Sequence, residues 1–312
     1  MTPKRIAILT LSVGSGHVRA SEVIQRAIYD GSDPVETRLL DALEKARFWF
    51  LATYVRPYWW MLHHAPWLWR RLFERRQRKM HRSTAPHWVF RRGCAEVFRQ
   101  LETFAPHLVI ATEIGAAEIA ALGKREHCFN APILAVSTDF QTEPPWVQPE
   151  IDAYCVASDE AKVQLIGWGV SPNRVLNCGI PVDPAFALPF DKPELIQALG
   201  LEARRPIVLV MGGGMGPAPL ERIVESLEMC GLPLQVLAVA GHNREVFLRL
   251  ERLRGKVALE LHLFGWTDRV PELMAVADLL VTKPGGVTIW SSLAWRLRRT
   301  GWRRFRRWFR AC

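Results

Sequence analysis

Short apolar segments alternate with longer segments of helical periodicity along most of the chain. Such alternation is typical of β–α units, in which helices join the consecutive strands of a parallel sheet. The pattern therefore predicts an α/β fold with parallel sheets. The predicted strands are 5–10, 108–112, 133–137 and 153–157 in the first half of the chain, and 207–211, 234–240, 258–264 and 279–282 in the second half.

A proline-rich segment without periodicity, GIPVDPAFALPFDKPEL, separates the two sets of strands. Irregular segments rich in proline are typical of linkers between domains. We therefore predict a first domain over residues 1–185, a linker over 186–195 and a second domain that begins at 196. The 312 residues are enough for two cores that need neither disulfides nor metals.

The charge and the cysteines restrict the class of protein further. Of the net charge of +10, eight units come from arginines in the segment 290–312, which has no acidic residue. The six cysteines lack the spacing of a zinc site, so we expect no metal and a reducing compartment. Because we find no apolar stretch of roughly 18 residues and no signal-peptide pattern, we predict a cytoplasmic protein.

Aromatic and cationic residues dominate residues 48–82, which we call the aromatic-basic segment. Ordinary core or surface helices with solvated arginines would explain this composition. A membrane-facing surface would explain it too, because tryptophan and tyrosine prefer the headgroup level and arginine attracts anionic lipid. Nucleic acid is not an expected partner, since no nucleic-acid-binding motif accompanies the segment. The residues expected to approach an anionic membrane surface are Trp59, Trp60, Trp67, Trp69, Arg70 and Arg71.

The first predicted strand leads into SVGSGHVRASEVI, in which Gly14 and Gly16 precede a helix expected to begin at His17 or Val18. A glycine turn before a helix directs backbone N–H groups and the positive helix end towards an anion. His17 adds a group that exchanges a proton near neutral pH. The segment predicts a phosphate-binding and proton-transfer site, although a histidine that only caps its own helix would have the same sequence.

The second half contains three further loops at the ends of predicted strands. MGGGMGP would let a diphosphate approach the backbone, and because no GK[ST] follows, hydrolysis of a nucleoside triphosphate is not expected. FGW and KPGG come at the ends of the last two predicted strands, 258–264 and 279–282. Open α/β sheets bind ligands at the carboxyl ends of their strands, so we predict a donor-binding site here. Its residues are Gly212, Gly213, Gly214, Gly216, Phe264, Gly265, Trp266, Lys283, Gly285 and Gly286, and Gly14 and Gly16 of the first domain are assigned to the donor as well.

Taken in order, GSGH, the STDF segment with Asp139 and Trp146, MGGGMGP, VAGHN, FGW and KPGGVTI resemble two related groups of enzymes. These are the monogalactosyldiacylglycerol synthases and the bacterial processive diacylglycerol glycosyltransferases. The resemblance runs from about Lys4 to Ile289. It implies the GT-B fold, in which the parallel sheets of two Rossmann-like domains face a cleft. That fold is similar to the N-acetylglucosaminyltransferase that makes the peptidoglycan lipid intermediate.

The resemblance also implies roles for individual residues. His17 would be the catalytic base, and Asp139, the second candidate catalytic residue, would face the acceptor or the closing cleft. The MGGGMGP glycines and Asn243 would line the donor diphosphate, while FGW would border the uracil. The implied reaction transfers a hexose from a UDP-sugar to a membrane lipid hydroxyl such as that of diacylglycerol. It needs no cofactor, and the protein would be peripheral on the inner face of the membrane.

Two features depart from the family pattern. Glu143 stands about where family members usually have a histidine shortly after TDF. After KPGGVTI the family continues with a Ser/Ala-Glu pair that holds the donor ribose, whereas this chain continues WSSLAWRLRRTGWRRFRRWFRAC. We therefore expect residues 196–289 to be an incomplete donor domain and 290–312 to be a tail read in a shifted frame. An authentic amphipathic helix with Trp295 and Trp302 on one face is the alternative.

Three hypotheses follow for the function. The first is a membrane-associated glycosyltransferase, with weak turnover because part of the donor domain is missing. The second is a binding protein for nucleotide sugars or lipid surfaces without catalytic activity. The third is a UDP-sugar epimerase of the same two-domain architecture.

Overall fold

The computed structural model of the chain describes residues 3–30, 34–80, 82–214, 219–283 and 285–297. The chain divides into two compact units, with the boundary between Pro181 and Val182. Each unit is an α/β structure built on one parallel sheet. Within the described residues, no helix combines the length and the apolar character that crossing a bilayer requires.

The sheet of the first unit has six strands. They are β1 (Lys4–Thr10), β2 (Val35–Asp41), β3 (Leu108–Ala111), β4 (Ile133–Val136), β5 (Ala153–Val156) and β6 (Val175–Asn177). Their order across the sheet is β2-β1-β3-β4-β5-β6. The predictions of β1, β3, β4 and β5 are confirmed, whereas β2 and β6 are absent from the sequence-based prediction. Both lie at the sheet edges, where β2 alternates polar and apolar residues and β6 is only three residues long.

Helices of the first unit cover both faces of this sheet. The first helix begins at Ser15, two residues earlier than predicted, because Gly14 is extended (φ −155°) and is the N-cap. His17 therefore lies within the first turn. The helices are α1 (Ser15–Tyr29), α2 (Phe48–Phe50), α3 (Arg56–His64), α4 (Pro66–Lys79), α5 (His87–Gly93), α6 (Ala95–Phe104), α7 (Ile114–Arg125) and α8 (Asp159–Gly167).

A π-helical turn, Leu51–Val55, joins α2 to α3 without a break. Its hydrogen bonding is widened by one residue, since Arg56 N–H donates to the carbonyl of Leu51. Pro57 follows directly and has no N–H to donate to the carbonyl four residues earlier. The wider turn accommodates the proline ring, which explains why the helical run continues through it.

The second unit contains a four-stranded parallel sheet in the order β10-β7-β8-β9, with apolar cores on both faces. All four strands were predicted. The strands are β7 (Ile207–Met211), β8 (Gln235–Val239), β9 (Glu260–Phe264) and β10 (Leu279–Thr282). The helices are α9 (Lys192–Ala198), α10 (Leu220–Glu228), α11 (Arg244–Arg254), α12 (Val270–Val276) and α13 (Gly286–Leu297).

The segment 186–195, predicted as a linker, is ordered structure of the second unit. Phe186 and Leu195 pack against its core, and the Asp191 carboxylate caps α9 by accepting from Glu194 N–H. Two apolar residues of this proline-rich segment thus pack against the core, which periodicity does not reveal, whereas Leu188 is 53% exposed. Of the predicted tail, residues 290–297 belong to α13 and residues 298–312 lie outside the described residues. The shifted reading frame stays a prediction.

Candidate functional site

His17 lies where the carboxyl ends of three neighbouring strands, β1, β3 and β4, meet. It occupies the first turn of α1, the helix that follows β1. This turn contains no acidic residue. The imidazole Nδ1 is 2.7 Å from the hydroxyl of Thr138, which follows β4 and is buried. Because one of these two atoms donates to the other, the hydrogen bond fixes the orientation of the ring.

Two buried hydroxyls hold the backbone at the same position. Ser21 donates from Oγ to the carbonyl of His17 at 2.9 Å, and its Oγ is 2.7 Å from Thr112 Oγ1. Thr112 follows β3, so its hydroxyl links the first turn of α1 to the neighbouring strand. The position of His17 is therefore set by contacts with both α1 and the sheet.

Two buried carboxyl groups lie on α7, which follows β3. Glu113 caps this helix by accepting from the N–H groups of Gly115 and Ala116 at 2.7 and 3.1 Å. Burial raises the pKa of Glu113 to about 8 against these stabilising bonds. Burial also raises the pKa of Glu118 to about 7, although Ser83 and Thr84 donate hydrogen bonds to its carboxylate.

The two acidic residues that follow β4 have different surroundings. Asp139, predicted to face the acceptor, is exposed beside the buried Ser137 and Thr138. Glu143 is largely buried and accepts a hydrogen bond from Arg76 Nη1 at 2.8 Å. The residue that departs from the family pattern is therefore one half of an ion pair, and its partner comes from the aromatic-basic segment.

Only some of the residues that were predicted to approach a membrane are exposed in the aromatic-basic segment. Trp60 and Trp67 are 57% and 65% exposed, and Arg70 and Arg71 are exposed as well. Trp59 and Trp69 are half-buried, and Trp69 packs edge-on against Tyr58 with ring centres 5.0 Å apart. Two other aromatic residues are exposed as well, Phe48 on α2 and Trp88 on α5.

In the second unit, the backbones of the loops that follow β7 and β8 are in direct contact. Gly241 has φ +65°, and a Cβ there would lie 2.7 Å from the carbonyl oxygen of Gly214. His242 N–H donates to that same oxygen at 3.0 Å. A side chain at position 241 would push the two loops apart. Gly212, Gly213 and Gly214 are described, whereas Gly216 lies outside the described residues.

Lys283, which follows β10, lies over the glycine loop after β7. A Cβ on Gly213 would be 2.5 Å from Lys283 Cε and 3.0 Å from its Nζ. Lys283 is exposed overall, and partial desolvation of its ammonium group lowers the pKa of Lys283 from its usual value. Gly285 N–H donates to the carbonyl of Lys283 at 2.8 Å, which closes a tight turn before α13 begins at Gly286.

The FGW segment follows β9, and its aromatic residues have different environments. Phe264 packs against the core of the unit, and Gly265 comes close to Gly241, since a Cβ there would be 3.9 Å from its carbonyl oxygen. Trp266 is 42% exposed and stacks on His242, with ring centres 4.0 Å apart and 14° between the planes. This pair forms a flat aromatic surface beside the glycine loop.

Asn243 has a structural role in addition to the predicted one. Its side-chain oxygen accepts from Val246 N–H at 3.1 Å and caps α11. An amide oxygen only accepts hydrogen bonds, so a hydrogen bond from Asn243 to a diphosphate would have to come from the amide nitrogen or from the backbone. The positive end of α11 is nevertheless held next to the loops that carry Gly241 and Gly214.

Several site residues were missed from the sequence. Thr138 was inside the quoted STDF segment and His242 and Gly241 inside VAGHN, but no role was assigned to them. The motifs that contain these three residues were the sequence signal that could have identified them. Glu113 and Glu118 gave no signal, because a glutamate on a helix is usually exposed and only the fold buries these two.

Comparison with known proteins gives the family and the relatives. A family model described as monogalactosyldiacylglycerol (MGDG) synthase matches residues 17–182. The probable chloroplastic monogalactosyldiacylglycerol synthase of Nicotiana tabacum is 28% identical over 307 residues, covering 92% of this chain and 55% of that protein. A processive diacylglycerol beta-glucosyltransferase of Bacillus licheniformis is 26% identical over 310 residues, covering 94% and 76%. The chain thus spans about half the length of the tobacco relative.

Among solved structures, Anabaena HepE in complex with UDP-glucose is similar to this chain. The TM-score is 0.54 at 15% identity, and the match covers 93% of this chain and 78% of HepE. At this identity the likeness shows the fold. The GT-B fold class predicted from the sequence is therefore confirmed.

Proposed function

Since residues 17–182 match its family model, this chain belongs to the monogalactosyldiacylglycerol synthase family, and from that we propose that it transfers a hexose from a UDP-sugar to a lipid hydroxyl. Diacylglycerol is the proposed acceptor, as it is named in the Bacillus relative. The observation that carries the proposal is the position of His17 at the meeting point of three strand ends, with its ring held by Thr138.

His17 is proposed as the base that removes the proton from the lipid hydroxyl. When Nδ1–H donates to Thr138 Oγ1, Nε2 is the basic nitrogen of the ring and is the atom that would take this proton. The contact with Thr138 favours one ring orientation and so lowers the entropy cost of reaching the reactive geometry. Asp139, exposed next to Thr138, would lie on the acceptor side.

The second unit is proposed to hold the nucleotide. Backbone N–H groups of the glycine loop after β7 and the ammonium group of Lys283 would neutralise the charge that grows on the departing diphosphate. The flat surface formed by His242 and Trp266 would stack against the uracil. The HepE complex, in which a protein of this fold binds UDP-glucose, supports this assignment.

The aromatic-basic segment is proposed to contact an anionic membrane surface on the cytoplasmic side. Trp60 and Trp67 project from α3 and α4, and the cations Arg70 and Arg71 lie on the same segment. Exposed tryptophans next to arginines suit the headgroup region, where each cation contributes about 1 kcal/mol of attraction to anionic lipid. This surface would bring the first unit to its lipid acceptor.

The test is transfer by the purified full chain. The chain is incubated with UDP-glucose or UDP-galactose and with vesicles that contain diacylglycerol and anionic phospholipid, and both UDP release and glycolipid are measured. We expect release that depends on diacylglycerol. His17→Ala should lower this rate about 100- to 10,000-fold while the UDP dissociation constant stays the same.

Other outcomes identify the rival functions. UDP binding without lipid-dependent release would show a binding protein. Conversion of one UDP-sugar into its epimer without any acceptor would show an epimerase. A His17→Ala variant that transfers hexose as fast as the wild type would remove the proposed base.

A further inference from the structure

Arg76 differs from the other arginines of α4, because its side chain points into the first unit. Arg70, Arg71, Arg75 and Arg78 are exposed. Arg76 and Glu143 each keep only 17% of their side-chain surface in contact with solvent, and Nη1 of Arg76 is 2.8 Å from Oε2 of Glu143. Because both charges are largely removed from water, replacing either residue would leave the other charge buried and unpaired, which is strongly unfavourable.

The segment that carries Glu143 is attached to α4 at a second point. Gln77, next to Arg76, donates from Nε2 to the carbonyl of Thr142 at 3.0 Å. Thr142 is in turn held from the other side, because its N–H and hydroxyl both donate to Gln164 Oε1 of α8. The loop 138–143, which begins with the partner of His17, is therefore fixed between α4 and α8.

Aromatic side chains connect the same pair to α3. The guanidinium of Arg76 lies over the Trp69 ring, 5.7 Å from its centre, and Trp69 packs edge-on against Tyr58. Burial, followed by the charges of Glu113, Asp139 and Glu143, raises the pKa of Tyr58 to about 12. Arg76, Trp69 and Tyr58 thus form a continuous series of contacts from α4 to α3.

We propose that Arg76 and Glu143 are positioning residues for the acceptor side of the His17 site. Their ion pair fixes α3 and α4, whose outer surface carries the exposed tryptophans, on the loop that carries Thr138 and Asp139. A lipid bound at the aromatic-basic segment is then presented at a set distance from His17. This inference rests on the proposed function, and it assigns a role to the glutamate that departs from the family pattern.

The kinetic test compares Arg76→Gln, Glu143→Gln and the exchanged pair Arg76→Glu/Glu143→Arg. Each single variant should lower kcat/KM for the lipid about 10- to 100-fold, mostly through kcat, and should leave UDP affinity unchanged. The exchanged pair should recover most of the loss, because it restores the attraction with reversed charges. Arg99→Gln, which breaks the exposed Arg99–Glu96 pair of α6, is the matched control and should behave like the wild type.

Amide hydrogen exchange of α4 tests the attachment without any need for transfer activity. Residues 66–79 should exchange faster in both single variants and at the wild-type rate in the exchanged pair. Single variants with wild-type transfer and wild-type exchange would overturn the inference. If the wild type transfers no hexose while the variants still lose protection, the proposed function fails and the attachment of α4 stands.

Discussion

At Gly213, a larger residue would strain the backbone and would force the neighbouring lysine side chain to move. Its φ of +79° costs an alanine about 1–2 kcal/mol, and the new Cβ would meet Lys283 Cε at 2.5 Å. Gly213→Ala should therefore displace the lysine and raise the UDP dissociation constant about tenfold, as measured by calorimetry. Gly200→Ala is the control, because Gly200 has φ +68° with no atom within 4 Å of a Cβ. Equal UDP affinity in both variants would mean that Lys283 does not contact the nucleotide.

At Glu118, burial predicts a stability that depends on pH. The native pKa is raised from 4.5 to about 7, so the native state holds a proton that the unfolded chain releases in this window. The stabilising contribution of the Glu118 proton is fully present below about pH 4.5. It is lost as the pH rises towards 7, so the free energy of unfolding falls by at most about 1.4 kcal/mol per pH unit. Urea unfolding between about pH 5 and 7.5 should show this slope.

Glu118→Gln should reduce that slope, because a neutral amide does not titrate. The remainder would come from Glu113, whose pKa is raised to about 8. Glu96→Gln is the control, since the hydrogen bond from Arg99 lowers the pKa of Glu96 to about 2 and the carboxyl stays ionised across the whole range. A wild-type stability that does not fall with rising pH over this range would mean that neither buried carboxyl keeps its proton in the native state.

Among the elements, the hydrophobic pattern located eight of the ten described strands, including the partly exposed β10, and missed β2 and β6. β7 and β8 are buried at every residue, and β7 was predicted with its observed bounds. In β2, with the sequence VETRLLD, exposed and partly buried residues alternate at the start of the strand. In β6 only one residue is buried. A strand that alternates polar and apolar residues, or that is only three residues long, contains no continuous apolar run by which the sequence reveals it.

The exposed tryptophans of α3 and α4 give a prediction for these elements. Trp60→Ser together with Trp67→Ser should weaken partition into anionic vesicles about tenfold, because both rings lose their place at the interface. Co-sedimentation with vesicles measures this. Met229→Ser is the control, since Met229 is 87% exposed on the second unit, outside the aromatic-basic segment. Unchanged partition of the double variant would favour the interpretation of these helices as an ordinary solvated surface.

Across the whole molecule, the site could be predicted where a short motif contains it and not where the fold assembles it. His17 and the glycine loops were visible as glycine turns after apolar strands. The contact of His17 with Thr138 joins residues 121 positions apart, and that of Arg76 with Glu143 joins residues 67 apart. No periodicity or spacing encodes such pairs, because the order of strands in the sheet decides which loops become neighbours.

The division of the chain at Pro181 predicts that nucleotide binding and proton transfer can be separated. The proposed base lies before this boundary, and the proposed nucleotide groups lie after it. UDP at about 100 times its dissociation constant should stabilise the wild type by about 2.7 kcal/mol. His17→Ala should show the same rise in melting temperature with UDP, and Gly213→Ala a smaller one. If His17→Ala loses the UDP-dependent rise, the first unit takes part in binding the nucleotide, and a fall in the transfer rate of that variant could no longer be assigned to proton transfer alone.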